Sequence, residues 1–324
     1  MKHELASLPV FSRAQIESVI GIADALEPTA ASLVAYSEGR AVRPPLGLLT
    51  FDNGGEAHIK SGYIKGGGHF VTKIATMVRA NRERGLHSSD GVMLLCSAET
   101  GFPIAVLHDR KYLTDIRTAA VGALAARLLA PEQVDTVGIF GTGGQALLQI
   151  QALALVRSFR RVLIWGRDAE RAAGLAASLK GSFPDREIAV EPSEKAVCEA
   201  SQVIITATAA TSPLIRGEWL RPGTHITAMG ADDADKCEID PACFERARIL
   251  VVDSYDLAER FGDIPNCLKR APGLRIPIDA ELGELLGGSK TVRRAPEDIT
   301  ISKHIGLGVE DLAVALESYR RLTA

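Results

Sequence analysis

The sequence predicts an α/β protein, with a doubly wound parallel sheet joined to a second domain of α+β character. Three observations predict it. Between residues 134 and 252, short apolar runs alternate with helical stretches, as strands and crossover helices do. One of those runs, 134–140, meets Gly141-Thr-Gly143-Gly-Gln-Ala146 and passes directly into a helical pattern. The first third lacks this alternation and reads as a helical stretch followed by successive strands with turn residues between them.

In chain order, residues 11–38 have a helical pattern. Strands are predicted at 58–64, 69–77, 91–96 and 104–108. Gly66-Gly67-Gly68 and Glu99-Thr-Gly101 are hairpin-type turns, so these strands are expected to be antiparallel. A bridging helix rich in Ala and Leu follows, with Thr114 or Asp115 as its N-cap and Pro131 as its stop. After the glycine turn, a helix is expected to about 156, then a strand at 161–165 and a helix at 169–179. The alternation continues with a strand at 187–190, a helix at 193–200, strands at 203–208 and 225–229, a helix at 241–247 and a strand at 248–252. The tail carries Val309, Leu312, Ala313, Leu316 and Tyr319 at helical spacing. It is expected to pack back on the first domain, which gives residues 1–117 and 301–324 to one domain and 118–300 to the other.

Composition narrows the function classes. A chain of 324 residues is long for one core. An apolar content of 46%, a charged content of 24% and a net charge of −3 are ordinary for a soluble protein and leave no basic footprint for nucleic acid. No apolar run is long enough to span a bilayer, and Met1-Lys-His-Glu-Leu has no signal-peptide pattern. The five cysteines form no C-x-x-C pair, and His58, His69 and His304 have no partner at metal-ligand spacing. These features predict a cytoplasmic protein without metal.

The glycine turn predicts the cofactor. Gly141 permits a tight turn, Gly143 lets the backbone approach a pyrophosphate, and Ala146 lets the helix lie close to the strand. The pyrophosphate would sit on the helix N-terminus, among free N–H groups, so Thr142, Gly144 and Gln145 join the candidate cofactor residues. The loops after the parallel strands add Thr206 and Gly230. The second strand ends in Trp165-Gly166-Arg167-Asp168, with Arg171 one helical turn on. An acidic residue at the strand end would accept from a ribose 2′-OH. Here that position reads as Gly166 followed by Arg167, and Asp168 reads as the cap of the next helix. NADP(H) is therefore preferred, with NAD(H) possible if the strand ends one residue later.

Further motifs resemble one family. Leu113-Thr-Asp-Ile-Arg117-Thr-Ala-Ala120, the Gly141-Thr-Gly143 turn and Gly230-Ala-Asp232 are similar to those of the ornithine cyclodeaminase/mu-crystallin family. Gly85-Leu-His-Ser88-Ser-Asp-Gly91, Ala98-Glu-Thr-Gly101-Phe-Pro and Ile305-Gly306-Leu-Gly308-Val-Glu-Asp311 agree in the same order, from about residue 40 to 320. The resemblance implies an NAD(P)-binding domain, a domain whose strands pair across a homodimer, an active site in the cleft between domains, and a small amino- or imino-acid substrate.

The resemblance also assigns roles. Lys73, in the alternating segment Phe70-Val-Thr-Lys73-Ile-Ala, matches the active-site lysine, which can exchange a proton or act as a fixed cation. Arg117, read as lying in the first turn of the bridging helix, would hold the substrate carboxylate bidentately. Thr118 would lie near the cofactor phosphates. Asp232 would be the general acid or base, although Asp233 beside it is equally acidic. Arg43 would be a second carboxylate clamp. Ser88 would bond the same carboxylate, in a turn where His87 replaces the usual proline. Lys60 and Lys65 would be substrate-side or simply solvated. The implied activity is hydride transfer at the Cα of a small α-imino or α-amino acid, foremost reduction of a cyclic ketimine. Ornithine cyclodeamination, alanine dehydrogenation and mu-crystallin-like NADPH binding with little turnover stand as alternatives.

Overall fold

The fold is taken from a computed structural model, which describes residues 7–292 and 295–324. The chain divides into two compact units. One comprises residues 1–117 and 307–324, the other residues 118–306.

The first unit is built on a seven-stranded sheet. Its strands are β1 (Val10–Ser12), β2 (Ala41–Val42), β3 (Gly47–Thr50), β4 (Glu56–Ile64), β5 (His69–Met77), β6 (Ser89–Ser97) and β7 (Pro103–His108). The sheet order is β1-β7-β6-β5-β4-β2, with β3 also on β4. All pairs are antiparallel except β1 with β7, so the sheet is mixed. The segment read as one helical stretch is β1 followed by two helices, α1 (Arg13–Glu17) and α2 (Ile22–Ser37). Gly66 and Gly101 adopt positive φ in the two anticipated turns, a conformation that glycine takes without penalty.

Along β5 the side-chain period of two brings Val71 and Lys73 to the same face, and both are buried. Lys60 lies opposite Lys73 in the β4–β5 register and is buried as well. The helix that returns to this sheet is α11 (Gly308–Leu322). It crosses β4 with no side chains between the backbones: a Cβ on Gly62 would overlap the Gly308 carbonyl, and one on Gly308 would overlap that of Ser61.

Helix α3 (Tyr112–Leu129) carries the chain from one unit to the next. It starts earlier than expected, and its capping carboxylate is Asp109, whose Oδ2 accepts from the Leu113 N–H at 2.8 Å. Arg117 therefore lies in the second turn of α3, where the helix dipole has little say. The tail of α3 is Ala- and Leu-rich and ends before Pro131.

The second unit holds an eight-stranded, wholly parallel sheet: β8 (Thr136–Phe140), β9 (Arg161–Trp165), β10 (Glu187–Val190), β11 (Val203–Thr206), β12 (His225–Ala228), β13 (Ala247–Val252), β14 (Ala280–Glu281) and β15 (Ile299–Lys303). The order is β10-β9-β8-β11-β12-β15-β13-β14. The chain winds one way from β8 to β10 and the other way from β11, so the topological switch lies between β8 and β11, where such sheets bind ligands. Helices α4 (Gly144–Leu153), α5 (Ala169–Ser182), α6 (Glu194–Ala200), α7 (Pro241–Arg246), α8 (Tyr255–Arg260), α9 (Asp263–Arg270) and α10 (Leu282–Leu286) complete the unit. Two cores take alternate strand residues. Val137, Ile139, Val203 and Ile205 face one, and Phe140, Ile204, Ile226 and Ile301 face the other. That partition explains why these strands read as continuous apolar runs. Strands β14 and β15 had no sequence signal strong enough to separate them from loops. Because β15 belongs to this sheet, residues 301–306 stay with the second unit and the returning segment begins at Leu307. Among the described residues no helix is long and apolar enough to cross a membrane.

Candidate active site

In the first unit β5, α3 and α11 bring charged groups together out of water. The Lys73 Nζ lies 2.6 Å from Asp311 Oδ2. Arg117 Nε donates to Asp311 Oδ1 at 3.1 Å, and its Nη1 donates to Glu310 Oε2 at 2.8 Å. Lys73, Arg117, Glu310 and Asp311 are all buried. Glu310 and Asp311 stand in the first turn of α11, and Glu310 Oε1 also accepts from the Leu307 N–H. The two predicted residues Lys73 and Arg117 thus meet through Asp311, to which the sequence reading assigned no role.

Burial pushes Lys73 down to about 8. The Asp311 carboxylate opposes the shift, and the Arg117 and Lys60 charges add to it. Burial works against the Asp311 charge, but Lys73 and Arg117 outweigh it and hold the carboxyl below its ordinary range. Asp109 is pushed by burial up to about 7, against the hydrogen bond from the Leu113 N–H. Its Oδ1 is buried without a hydrogen-bond partner. A lysine poised near neutrality and fixed by an ionised carboxylate can hand over or take up a proton at neutral pH.

Of the other sequence candidates in this unit, Lys60 joins Lys73, and Arg43, Ser88 and Lys65 have other partners. Arg43 is exposed and stacks on the Tyr36 ring, 4.2 Å from its centroid. Ser88 is half-buried, and its carbonyl accepts from the Val78 N–H to close the loop after β5. Lys65 reaches the Gly39 carbonyl from an exposed position, whereas Lys60 is buried beside Lys73.

The second unit builds the glycine turn as its sequence implies. Gly141 has φ +119°, and a Cβ there would come within 2.5 Å of the Ala207 carbonyl oxygen. Gly143 is the N-cap of α4 and offers no side chain to it. Added Cβ atoms on Gly143 or Gly144 would meet nothing within 4 Å, so open space faces the first-turn N–H groups. Ala146 is fully buried against the sheet. This cradle fits a pyrophosphate by shape and by dipole. Behind it, Gln149 Nε2 donates to the Thr118 carbonyl and to Gln145 Oε1, and Gly122 leaves the room that Gln149 fills.

At the end of β9, Gly166 lies so close to Thr142 that a Cβ would overlap its methyl group. Asp168 caps α5, accepting from the Arg171 N–H at 3.1 Å, while Arg167 and Arg171 are exposed. Thr206 turns its hydroxyl inward to Glu238 at 2.7 Å, and the Gly230 N–H donates to the same carboxylate at 2.8 Å. Asp232 is half-exposed and pairs with Lys236 Nζ at 2.6 Å. Asp233 Oδ1 accepts from the backbone of Asp235 and Lys236, so it shapes the turn. Burial lowers the Lys236 pKa, but the Asp232 and Asp233 carboxylates outweigh it and hold the ammonium above its ordinary range.

The fold and these sites define a two-unit protein with a dinucleotide-type sheet and a separate buried Lys–Asp–Arg constellation. The sequence profile of the ornithine cyclodeaminase/mu-crystallin family matches residues 9–324, and the chain belongs to that family. An uncharacterized cyclodeaminase of Sinorhizobium fredii is 37% identical over 98% of this chain and 96% of its own length. Delta(1)-pyrroline-2-carboxylate reductase of Bacillus cereus is 32% identical over 96% of each chain. The structure of Delta(1)-pyrroline-2-carboxylate reductase from Thermococcus litoralis, in complex with NADH and L-proline, superposes with a TM-score of 0.91 over 98% of each chain at 28% identity.

Proposed function

We propose that the protein reduces a small cyclic α-imino acid of the pyrroline- or piperideine-2-carboxylate type. The observation that carries this reading is the buried Lys73–Asp311 pair beside Arg117. The Gly141–Ala146 turn would hold a nicotinamide cofactor, which would supply the hydride for the reduction. Arg117, oriented by Glu310 and Asp311, holds the substrate carboxylate. Lys73, lowered by burial, provides the proton that the imine nitrogen needs. Asp232, which pairs with Lys236, would offset the positive charge of the protonated imine. Asp232 then serves as fixed negative charge, with the proton traffic assigned to Lys73. The B. cereus reductase and the T. litoralis complex with L-proline support this substrate class.

The cofactor reading favours NADP(H). Asp168 is spent on capping α5, which leaves Arg167 and Arg171 to meet a 2′-phosphate. Homodimer formation is part of the same reading, and exposed Leu49 on β3 and Phe51 just after it, two residues apart, offer apolar surface to a second copy. The cyclodeaminase relative supports a second reading, conversion of ornithine to proline and ammonia.

One assay separates the readings. Oxidation of NADPH in the presence of pyrroline-2-carboxylate or piperideine-2-carboxylate supports the reductase. Proline and ammonia from ornithine with catalytic NAD, and no net cofactor change, support the cyclodeaminase. Tight NADPH binding without turnover of either substrate counts against both.

A further inference from the structure

In the second unit one carboxylate gathers the loops at the C-terminal edge of the parallel sheet. Glu238 is fully buried. Its Oε1 accepts from the Thr208 N–H at 2.6 Å and from the Thr208 hydroxyl at 2.8 Å. Its Oε2 accepts from the Thr206 hydroxyl at 2.7 Å, the Gly230 N–H at 2.8 Å and the Ala231 N–H at 3.1 Å. Thr206 ends β11 and Thr208 lies in the loop after it, while Gly230 and Ala231 lie in the loop after β12. The two loops also touch directly, since a Cβ on Gly230 would overlap the Thr208 backbone.

Glu238 is itself held. Asp263 Oδ1 accepts from the N–H groups of Glu238 at 2.6 Å and Ile239 at 3.1 Å. Asp263 Oδ2 pairs with Lys303 Nζ at 3.1 Å, and Lys303 donates to the Ala231 carbonyl. The chain of contacts extends to the glycine turn, because Gly141 packs against the carbonyl of Ala207, between Thr206 and Thr208.

Five donors converge on this group. A carboxylate accepts all five, whereas an amide of the same shape turns an NH₂ toward N–H donors. Replacement by an apolar residue would orphan main-chain N–H groups of two separate loops. We propose that Glu238 is the positioning residue of the nucleotide crevice. It fixes the loops after β11 and β12 in the arrangement against which the Gly141 turn presents its open N–H groups. The inference rests on the reading of that turn as a nicotinamide-nucleotide site, and it concerns a residue whose side chain is fully buried among protein donors.

The test is a titration of the full-length protein with NADPH and with NADH, without imino acid, followed by steady-state kinetics. Wild-type protein that binds neither nucleotide overturns the nucleotide reading, whatever the variants do. With wild-type binding established, Glu238→Gln is expected to raise the nucleotide Kd and KM at least tenfold, and Glu238→Asp to recover part of the loss. A merely structural role would lower the folded fraction, and so kcat, with nucleotide KM unchanged; that split overturns the proposal. If Glu238→Gln does not fold, Thr208→Val takes its place. That variant removes one donor and leaves four, and is expected to raise the nucleotide Kd threefold or more. A Kd equal to that of wild type then overturns the proposal.

Discussion

The Lys73 ammonium and the Asp311 carboxylate lie 2.6 Å apart, and neither side chain is open to solvent. One comes from the second of two hairpin strands and the other from the returning helix, so the pair ties α11 to β5. Arg117 shares the same carboxylate, which makes Asp311 the common counter-charge of two buried cations.

Asp311→Asn should therefore cost more than loss of one contact. Breaking a buried ion pair from one side typically costs about 3–5 kcal/mol, because the remaining charge is stranded. Chemical denaturation should show a loss of that order for Asp311→Asn. The double change Lys73→Met with Asp311→Leu should lose less than the sum of the two single changes. Strict additivity would mean that the pair is not coupled.

Lys73→Ala should abolish imine reduction while leaving nucleotide affinity within about twofold, since Lys73 belongs to the proton and not to the phosphate cradle. Isothermal titration with NADPH and a turnover assay on one preparation decide this. Undiminished kcat would remove Lys73 from the chemistry.

The Lys73 pKa of about 8 sets the pH profile. Reduction needs the protonated ammonium, so kcat/KM should hold level below pH 8 and fall about tenfold per pH unit above it. A profile level to pH 10 would assign the proton to another group. The oxidation of proline, run backwards, should need the neutral amine and rise through the same pH.

His304 and Asp109 should shift stability in opposite senses. Burial, with help from Lys303, lowers His304 to about 3, and neither ring nitrogen has a hydrogen-bond partner. The unfolded chain then binds a proton that the folded chain refuses. Stability from this group is complete above about pH 6.5 and is lost toward pH 3, by up to about 1.4 kcal/mol per pH unit. Asp109 is raised to about 7, so its contribution is complete below about pH 4 and is lost as pH rises to 7. Urea melts at several pH values should find that His304→Leu gains on wild type as pH falls. Asp109→Asn should gain on wild type as pH rises. Parallel curves for variant and wild type would contradict both assignments.

Gly141→Ala should weaken nucleotide binding without unfolding the sheet. The new methyl group meets the Ala207 carbonyl, and φ at this position is +119°. A rise in NADPH Kd of about tenfold, with a cooperative thermal melt retained, is the expected outcome.

The parts of this protein that were legible in the sequence are those whose signal is local. The strand, turn and helix at 136–153 could be read because glycine spacing and apolar continuity both lie within one short segment. Lys73 was legible as a strand residue, but its burial was not. That depends on α11 covering the face it shares with Val71, and on Lys60 standing opposite across a hairpin. Glu310 and Asp311 look like ordinary first-turn acids that favour the helix dipole, and nothing nearby shows that they face two cations. Glu238 gave no signal because its five donors come from the end of β11, the loop after it and the loop after β12, brought together by parallel strand pairing. Asp109 displaced Thr114 and Asp115 as the capping group of α3 because Arg110 and Lys111 take positive φ and turn the chain before the helix begins. The segment between Val252 and Ile299, with its short helices and the two-residue β14, carries no period long enough to read.

The close crossing of Gly62 and Gly308 has a consequence for the order of assembly. Glu310 and Asp311 leave the ribosome after both sheets have been made, and they reach Lys73 and Arg117 only when α11 settles on a strand that has made room for its backbone. Until then the face that carries Lys73 lacks its cover, and Lys73 and Arg117 lack the carboxylates that pair with them in the folded chain. The last helix therefore closes this interior and neutralises it in one step: a chain that stops short of residue 308 lacks both the cover over Lys73 and the carboxylates that pair with it and with Arg117.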